Sequence, residues 1–403
     1  MGQKAYFCSV KKQTKAIHTP YRLRDPYGAL AMPVYHTAAY EFDTAQDMAD
    51  AFTGKVLMPD YSRVMNPTVT HFEDRVRHLT DAADVIAFNA GMAAITNTLL
   101  ALAAAGRSIV TSSHLFGNTF SLIASTLARF GVRPVMCDLT DIAAVEQAVD
   151  DKACCLFLEI VTNPQMEVAD LKALAGVTRS HGIPLIADTT AIPFTCFSAR
   201  ELGVDIEIVS STKYLSGGGT SLGGLVIDYG TTEGFGRRMR NEMLFNVGGY
   251  MTPQVAYMQT LGLETLDARY RVQAANAMEL ATRLEALTAH SNSLCSVNYV
   301  GLPTNRFNAI ATAQFGGTYG AMLTIDLDSE ASCYRFIDSL RLIHRATNLF
   351  DSRSLAIHPA STIFGNFSPR ARRRMDVLDT TIRLSIGLED VDDLYDDISQ
   401  ALP

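Results

Sequence analysis

Between residues 85 and 227, short apolar runs alternate with helical stretches, and this alternation restricts the fold more than any other feature of the chain. Residues 85–88 read as a strand, followed at once by an Ala- and Leu-rich helix over 91–105. The unit then repeats. Strands are predicted at 108–112, 133–137, 153–160, 184–188, 206–210 and 223–227, with helices over 119–130, 142–148 and 171–181, and a helix over 69–79 precedes the series. Parallel strands need long crossovers, usually helical, and such crossovers cover both faces of the sheet. The pattern predicts an α/β fold built on a mostly parallel sheet.

The chain is longer than one such sheet requires. Single cores stop growing near roughly 250–300 residues, so 403 residues predict a second unit. A long helical pattern over 263–287 leads to strands at 321–327 and 381–386 and helices at 333–340 and 391–401, which describes a smaller α+β domain. The first 60 residues differ from both. Pro20, Pro26, Pro33 and Pro59 punctuate them, and only a short helix near 45–52 shows a period. The expected division is an arm over 1–64, a large domain over 65–262 and a small C-terminal domain over 263–403.

Charge and cysteine usage remove several function classes. With 34 Lys and Arg against 42 Asp and Glu, the formal net charge is −8, and nucleic-acid binding, which needs a basic face, is not expected. The one basic run, Arg370, Arg372, Arg373 and Arg374, reads as a solvated loop or helix start. The 7 cysteines are odd in number and contain no Cys-x-x-Cys pair, which fits reduced thiols in the cytoplasm. No apolar run approaches the roughly 18 residues of a membrane span, and the first residues lack a signal peptide's apolar segment. A cytoplasmic protein with no membrane partner is expected. His71 and His78 lack convergent Cys or carboxylate partners and read as surface or packing residues, so no metal site is expected. His358 likewise reads as structural, and the acids from Glu389 to Asp397 as the polar start and solvent face of the last helix.

Ligands in open parallel sheets bind at the carboxyl ends of strands, so polar residues just after apolar runs carry the search for a site. Gly91 and Met92 open a helix directly after a strand, where free N–H groups and the helix dipole favour an anion. Asp188 ends another strand, and Glu159 to Asn163 follow a third. The strongest signal is Ser210-Ser211-Thr212-Lys213-Tyr214, followed by glycines at 217–219. A lysine at the end of an apolar strand is poorly explained as a surface charge, and desolvation makes an amine a nucleophile toward carbonyls. No Walker loop and no Gly-x-Gly-x-x-Gly turn accompanies it. Lysine, anion-binding helix start, hydroxyls and an isolated Asp together match what pyridoxal 5'-phosphate (PLP) requires.

Four ordered motifs extend that reading: Tyr61-Ser62-Arg63-Val64-Met65-Asn66-Pro67-Thr68, Ala90-Gly91-Met92-Ala93-Ala94-Ile95, Ser210-Ser211-Thr212-Lys213-Tyr214 and Ile382-Arg383-Leu384-Ser385-Ile386-Gly387-Leu388-Glu389-Asp390. With them the chain resembles, nearly end to end, the Cys/Met-metabolism family of PLP enzymes, which includes cystathionine γ-synthase, cystathionine and methionine γ-lyases and O-acylhomoserine sulfhydrylases. The resemblance implies the aspartate-aminotransferase-like fold of PLP fold type I. It implies that Lys213 joins the cofactor as an imine and moves protons, that Asp188 pairs with the ring nitrogen, and that Asn163 lies near the ring hydroxyl. Gly91, Met92, Ser210 and Thr212 would hold the phosphate, and Phe116 would stack on the ring. Tyr61 and Arg63 would reach the neighbouring subunit's phosphate, which implies a homodimer with shared sites and commonly a homotetramer. Arg383 would clamp the substrate carboxylate, with Asn348 beside it.

Some positions depart from the family pattern. Phe116 stands where many members carry a tyrosine, so its acid role would fall to Lys213 or to Tyr61. Sulfhydrylases acting on O-succinylhomoserine also show Phe there. Asn118 replaces the cysteine typical of methionine γ-lyases, Phe350 replaces the glycine of a Leu-Gly-Asp turn, and Gly219 replaces a polar residue. The implied reaction is γ-replacement or γ-elimination on a γ-substituted L-amino acid, of the O-acylhomoserine sulfhydrylase or cystathionine γ-synthase type. The alternatives are a γ-lyase and, in another class, a catalytically silent scaffold.

Overall fold

A computed structural model describes residues 10–19 and 21–403; Cys8 and Pro20 lie outside the described residues. Seven strands form the larger sheet: β1 (Asp84–Phe88), β2 (Ser108–Thr111), β3 (Arg133–Met136), β4 (Ala153–Glu159), β5 (Leu185–Asp188), β6 (Ile206–Val209) and β7 (Gly224–Asp228). Their order is β1-β7-β6-β5-β4-β2-β3. Pairings among β2 to β6 are parallel, whereas β7 runs antiparallel to both β1 and β6. The reversal has a local cause. A parallel return needs a long crossover, and residues 210–223 between β6 and β7 contain no helix.

The central strands are buried on both faces, which explains their unbroken apolar runs. All of β4 is buried. One face packs with Phe72, Val76 and Leu79 from the helix Pro67–Thr80. The other packs with Ile95 and Leu99 from the helix Gly91–Leu102. The α/β expectation with a mostly parallel sheet is borne out.

Beyond the helix Pro253–Glu264 and the 23-residue helix Leu266–Thr288 lies a second sheet of order β10-β11-β12-β9-β8. It comprises β8 (Leu294–Asn298), β9 (Met322–Leu327), β10 (His344–Arg345), β11 (Leu355–Ile357) and β12 (Thr381–Ser385). Of these strands, β8, β10 and β11 were not anticipated. The first is largely unburied and the other two are too short to show a period.

Three further readings change. The helix expected at 119–130 starts at Gly117 and stays continuously wound to Phe130, widening in its middle and tightening in its last turn. The arm carries an additional helix, Lys12–Ile17, too short for periodicity to reveal. Its Ala16 joins the large core, and Lys12 Nζ donates to the carbonyls of Phe194 and Phe197 at 3.0 and 2.8 Å. In the last helix, Val391–Ala401, Asp397 does not face water: it is 7% exposed and accepts N–H bonds from Arg341, Leu342 and Ile343.

Candidate active site

β4, β5 and β6 run parallel, and β1, antiparallel to β7 as β6 is, shares their direction, so the carboxyl ends of all four lie at one edge of the large sheet. A cavity of about 580 Å³ lies there. Ala90 to Met92 enter after β1, Glu159 and Asn163 at and after β4, Asp188 at the end of β5, and Ser210, Thr212 and Lys213 after β6. Arg383 on β12, Met322 on β9, and Thr347, Leu349 and Phe350 between β10 and β11 close it from the small sheet. Nine of the residues expected to hold cofactor or substrate line this space, Gly91, Met92, Phe116, Asn163, Asp188, Ser210, Thr212, Lys213 and Arg383, whereas Asn348 is not among the lining residues.

Lys213 is the electrostatic centre. Burial and the nearby Arg383 lower its amine to about 8, against an opposing pull from Asp188. Its Nζ donates to Asn348 Oδ1 at 3.0 Å. Arg383 is 2% exposed, and burial lowers it to about 9. The guanidinium donates to Asn163 Oδ1 at 3.2 Å, to Asn348 O at 3.3 Å and to Thr347 O at 3.5 Å, while its Nε has no partner. A buried donor without a partner is costly, so Nε is available for an acceptor entering the cavity.

Two carboxyls stand side by side on adjacent strands, since Glu159 pairs with Asp188 in the β4–β5 register. Enclosure raises Asp188 despite its bond from the Thr190 N–H at 3.0 Å. Burial, and then Asp188, push Glu159 up to about 8. Both shifts favour a proton held by the pair, which spares it from carrying two charges. Its Oε1 accepts the Phe116 N–H at 2.7 Å and so fixes the backbone of the aromatic wall. The sequence placed Glu159 among polar residues after a strand but could not show that it faces Asp188.

The anion end is built from close backbone packing. A Cβ at Gly91 would sit 2.8 Å from Ser210 Cβ and Oγ, so only glycine allows the helix start to approach Ser210. Ala90 before it provides no side-chain cap, which leaves the first helical N–H groups open to the cavity. Thr212 is less free: its hydroxyl donates to Gly223 O at 3.1 Å and accepts the Gly223 N–H at 2.9 Å.

Tyr61 and Arg63 are not among the residues lining the cavity in the same chain. Tyr61 is 42% exposed, the Arg63 guanidinium lies 5.0 Å from the centre of its ring, and Arg63 Nε is buried without a partner.

A family model for Cys/Met metabolism PLP-dependent enzymes matches residues 13–403. The chain belongs to that family. As a member it is an enzyme, and its cofactor is PLP. It is 35% identical to an O-succinylhomoserine sulfhydrylase from Pseudomonas aeruginosa over 94% of this chain and 92% of that protein. It is 34% identical to an L-methionine γ-lyase from Pseudomonas putida over 96% of both. Among solved structures, a Campylobacter jejuni protein described as an O-acetylhomoserine (thiol)-lyase superposes with a TM-score of 0.92 at 30% identity. That match covers 98% of this chain and all of the other, which carries a pyridoxyl-lysine phosphate. A cystathionine γ-lyase from Lactobacillus plantarum gives a TM-score of 0.89 at 29% identity, covering 97% of this chain and 98% of that one. The fold is thus that of the type I PLP enzymes, a large mixed sheet with a smaller sheet-bearing C-terminal part.

The residues of this family member fit the cofactor. The glycine-only contact at Gly91, the uncapped helix start, the enclosed carboxyl of Asp188 and the depressed amine of Lys213 line one cavity and suit a phosphate, a ring nitrogen and a carbonyl.

Proposed function

We propose that the protein catalyses γ-replacement on an O-acylated homoserine, transferring the four-carbon amino-acid unit to sulfide or a thiol. γ-Elimination from the same substrate class is the second reading. The observation that carries the chemistry is that Lys213, Asp188 and Arg383 line one cavity, with both charges near enough to act on the lysine. When bound, PLP supplies an electron sink for charge developing at the substrate carbons.

Lys213, Asp188, Gly91, Met92, Ser210, Phe116 and Asn163 would hold the cofactor, with Thr212 acting mainly through Gly223. Arg383 would take the substrate α-carboxylate, using the unpartnered Nε and an adjacent N–H in the two-point geometry that lysine lacks. Lys213 Nζ, with an amine near neutrality, would take a proton from one substrate carbon and return it to another. Asn348 would stand beside the carboxylate end.

Phe116 and Asn118 both line the cavity. Neither offers a hydroxyl or thiol with which to protonate a leaving group. An ester leaving group departs as a carboxylate and needs less acid assistance than a thiolate. This favours acylated homoserine over methionine.

Tyr61 and Arg63 would complete the neighbouring subunit's site from the 1–64 arm. Their position away from this chain's own cavity and the unpartnered Arg63 Nε support a homodimer with shared sites, within a cytoplasmic homotetramer. Tyr61 would then be available as an acid in the neighbour. A silent scaffold has no physical need for a buried arginine with an unpartnered Nε beside a depressed lysine.

The test is incubation of the holoenzyme with O-acetylhomoserine, O-succinylhomoserine and methionine, with and without sulfide or cysteine, identifying products by mass. Homocysteine or cystathionine from an acylated homoserine is expected. A keto acid and free thiol from methionine, with no nucleophile incorporated from any substrate, would establish the lyase reading instead. Lys213→Ala should remove both turnover and the visible absorbance of the cofactor–lysine imine.

A further inference from the structure

The loop between β10 and β11 closes the substrate end of the cavity and folds back onto the glycine turn that follows Lys213. Asp351, 4% exposed, lies at the contact. Its Oδ2 accepts from Asn348 Nδ2 at 3.2 Å, and its Oδ1 accepts from Arg353 Nε at 2.8 Å and from the Arg353 N–H at 3.1 Å. Arg353 also reaches Gly218 O at 2.6 Å, and Ser352 Oγ donates to Gly217 O. At Gly219, with φ +64°, any Cβ would collide with Asp351 Oδ2. A glycine there lets the carboxylate reach Asn348.

Burial opposes the charge on Asp351, but the bonds from Arg353 and Asn348 outweigh it and hold the carboxyl below its ordinary range. An ionised carboxylate can only accept hydrogen bonds. Asn348 must therefore present its NH₂ to Asp351, which leaves the amide oxygen toward Lys213 Nζ at 3.0 Å.

We propose that Asp351 is a positioning residue: by accepting a hydrogen bond from Asn348 Nδ2 it turns the amide oxygen toward Lys213, and so holds the amine of Lys213 whenever that amine is free. The orientation of one amide thereby couples the small-sheet loop to the lysine. This rests on the reading of Lys213 as the residue that joins PLP. The charged groups around the amine are Asp188 from β5, Arg383 from β12 and, behind Asn348, Asp351 with Arg353. Asp351→Ala also releases Arg353 from its carboxylate, whereas Asn348→Ala leaves that ion pair in place.

The experiment uses full-chain apoprotein and follows PLP capture by absorbance across pH, which needs the neutral amine and no substrate. The wild-type capture rate should rise with a midpoint near 8. An amide oxygen accepting from Lys213 favours the ammonium form, so its loss lowers the midpoint. Asp351→Ala and Asn348→Ala should each shift it down by about one pH unit, a gain of about tenfold in the neutral fraction at low pH. The double variant should shift it no further.

A midpoint unmoved in Asp351→Ala but lowered in Asn348→Ala would overturn the proposal. So would additive shifts, or slower capture at every pH with a fixed midpoint, the mark of a merely structural residue. If Lys213→Ala captured PLP through an imine as well as wild type does, the reading of Lys213 itself would fail, a result distinguishable from the others.

Discussion

Phe350 offers a direct measure of backbone strain beside the site. It has φ +55°, a left-handed conformation that bulky L-residues rarely adopt. It is nonetheless 1% exposed, with its ring stacked on Tyr214 at 4.2 Å and 8°, and its N–H donating to Ser385 Oγ at 2.7 Å. Removing the ring should cost about 3–5 kcal/mol. The left-handed backbone costs any L-residue about 1–2 kcal/mol, and alanine retains that cost while glycine does not. Glycine's greater freedom in the unfolded chain works against it by about 0.5–1 kcal/mol. Taking the middle of each range, Phe350→Gly should exceed Phe350→Ala in stability by about 0.8 kcal/mol, or fourfold in the unfolding equilibrium. The chain has no tryptophan, so far-UV circular dichroism in urea, at fixed protein and PLP concentrations, is the appropriate assay. Glycine normally ranks below alanine. A Phe350→Ala variant as stable as Phe350→Gly would refute the strain argument.

Arg383→Lys should keep a positive charge yet lose the proposed two-point carboxylate contact; one charge-assisted bond, about 2 kcal/mol, corresponds to a fall in kcat/KM of about 30-fold. The cofactor absorbance should stay unchanged, and a loss below threefold would remove Arg383 from substrate binding. His114 bonds Glu167 at 2.5 Å and Asp376 at 2.9 Å, tying the large-sheet region to the loop before β12. Burial lowers its pKa, but the two carboxylates outweigh burial and raise it overall. Its stabilisation is then fully present below the unfolded value of about 6.5 and is lost as pH rises through the higher folded value. Urea midpoints measured from pH 6 to 9 should show this loss in wild type and not in His114→Gln; equal pH dependence in the two would contradict it.

How much of this was legible beforehand depended on how local each signal is. The strands at 153–160 and 206–210 were visible because both faces of β4 and β6 are buried, leaving unbroken apolar runs in the sequence. Lys213 and Asp188 stood out because charge at the end of such a run has few structural explanations. The helix Lys12–Ile17 and the strand His344–Arg345 escaped notice because six and two residues are too few to display a period. Asp397 was misread because a carboxylate near a helix end looks solvent-facing until the chain folds three N–H groups around it.

The order of apolar and polar residues therefore determined, without coordinates, the strand–helix alternation, and it singled out the sheet edge and the lysine proposed to carry the chemistry. These follow from periodicity and from the rule that a parallel sheet gathers its strand ends. Only the tertiary structure decided that Glu159 faces Asp188, that Asn348 turns its oxygen to Lys213, and that Arg383, 170 residues beyond Lys213, stands close enough to depress it. Hydrogen bonds, desolvation and Coulomb energy depend on distance and burial, and neither is set by position along the chain.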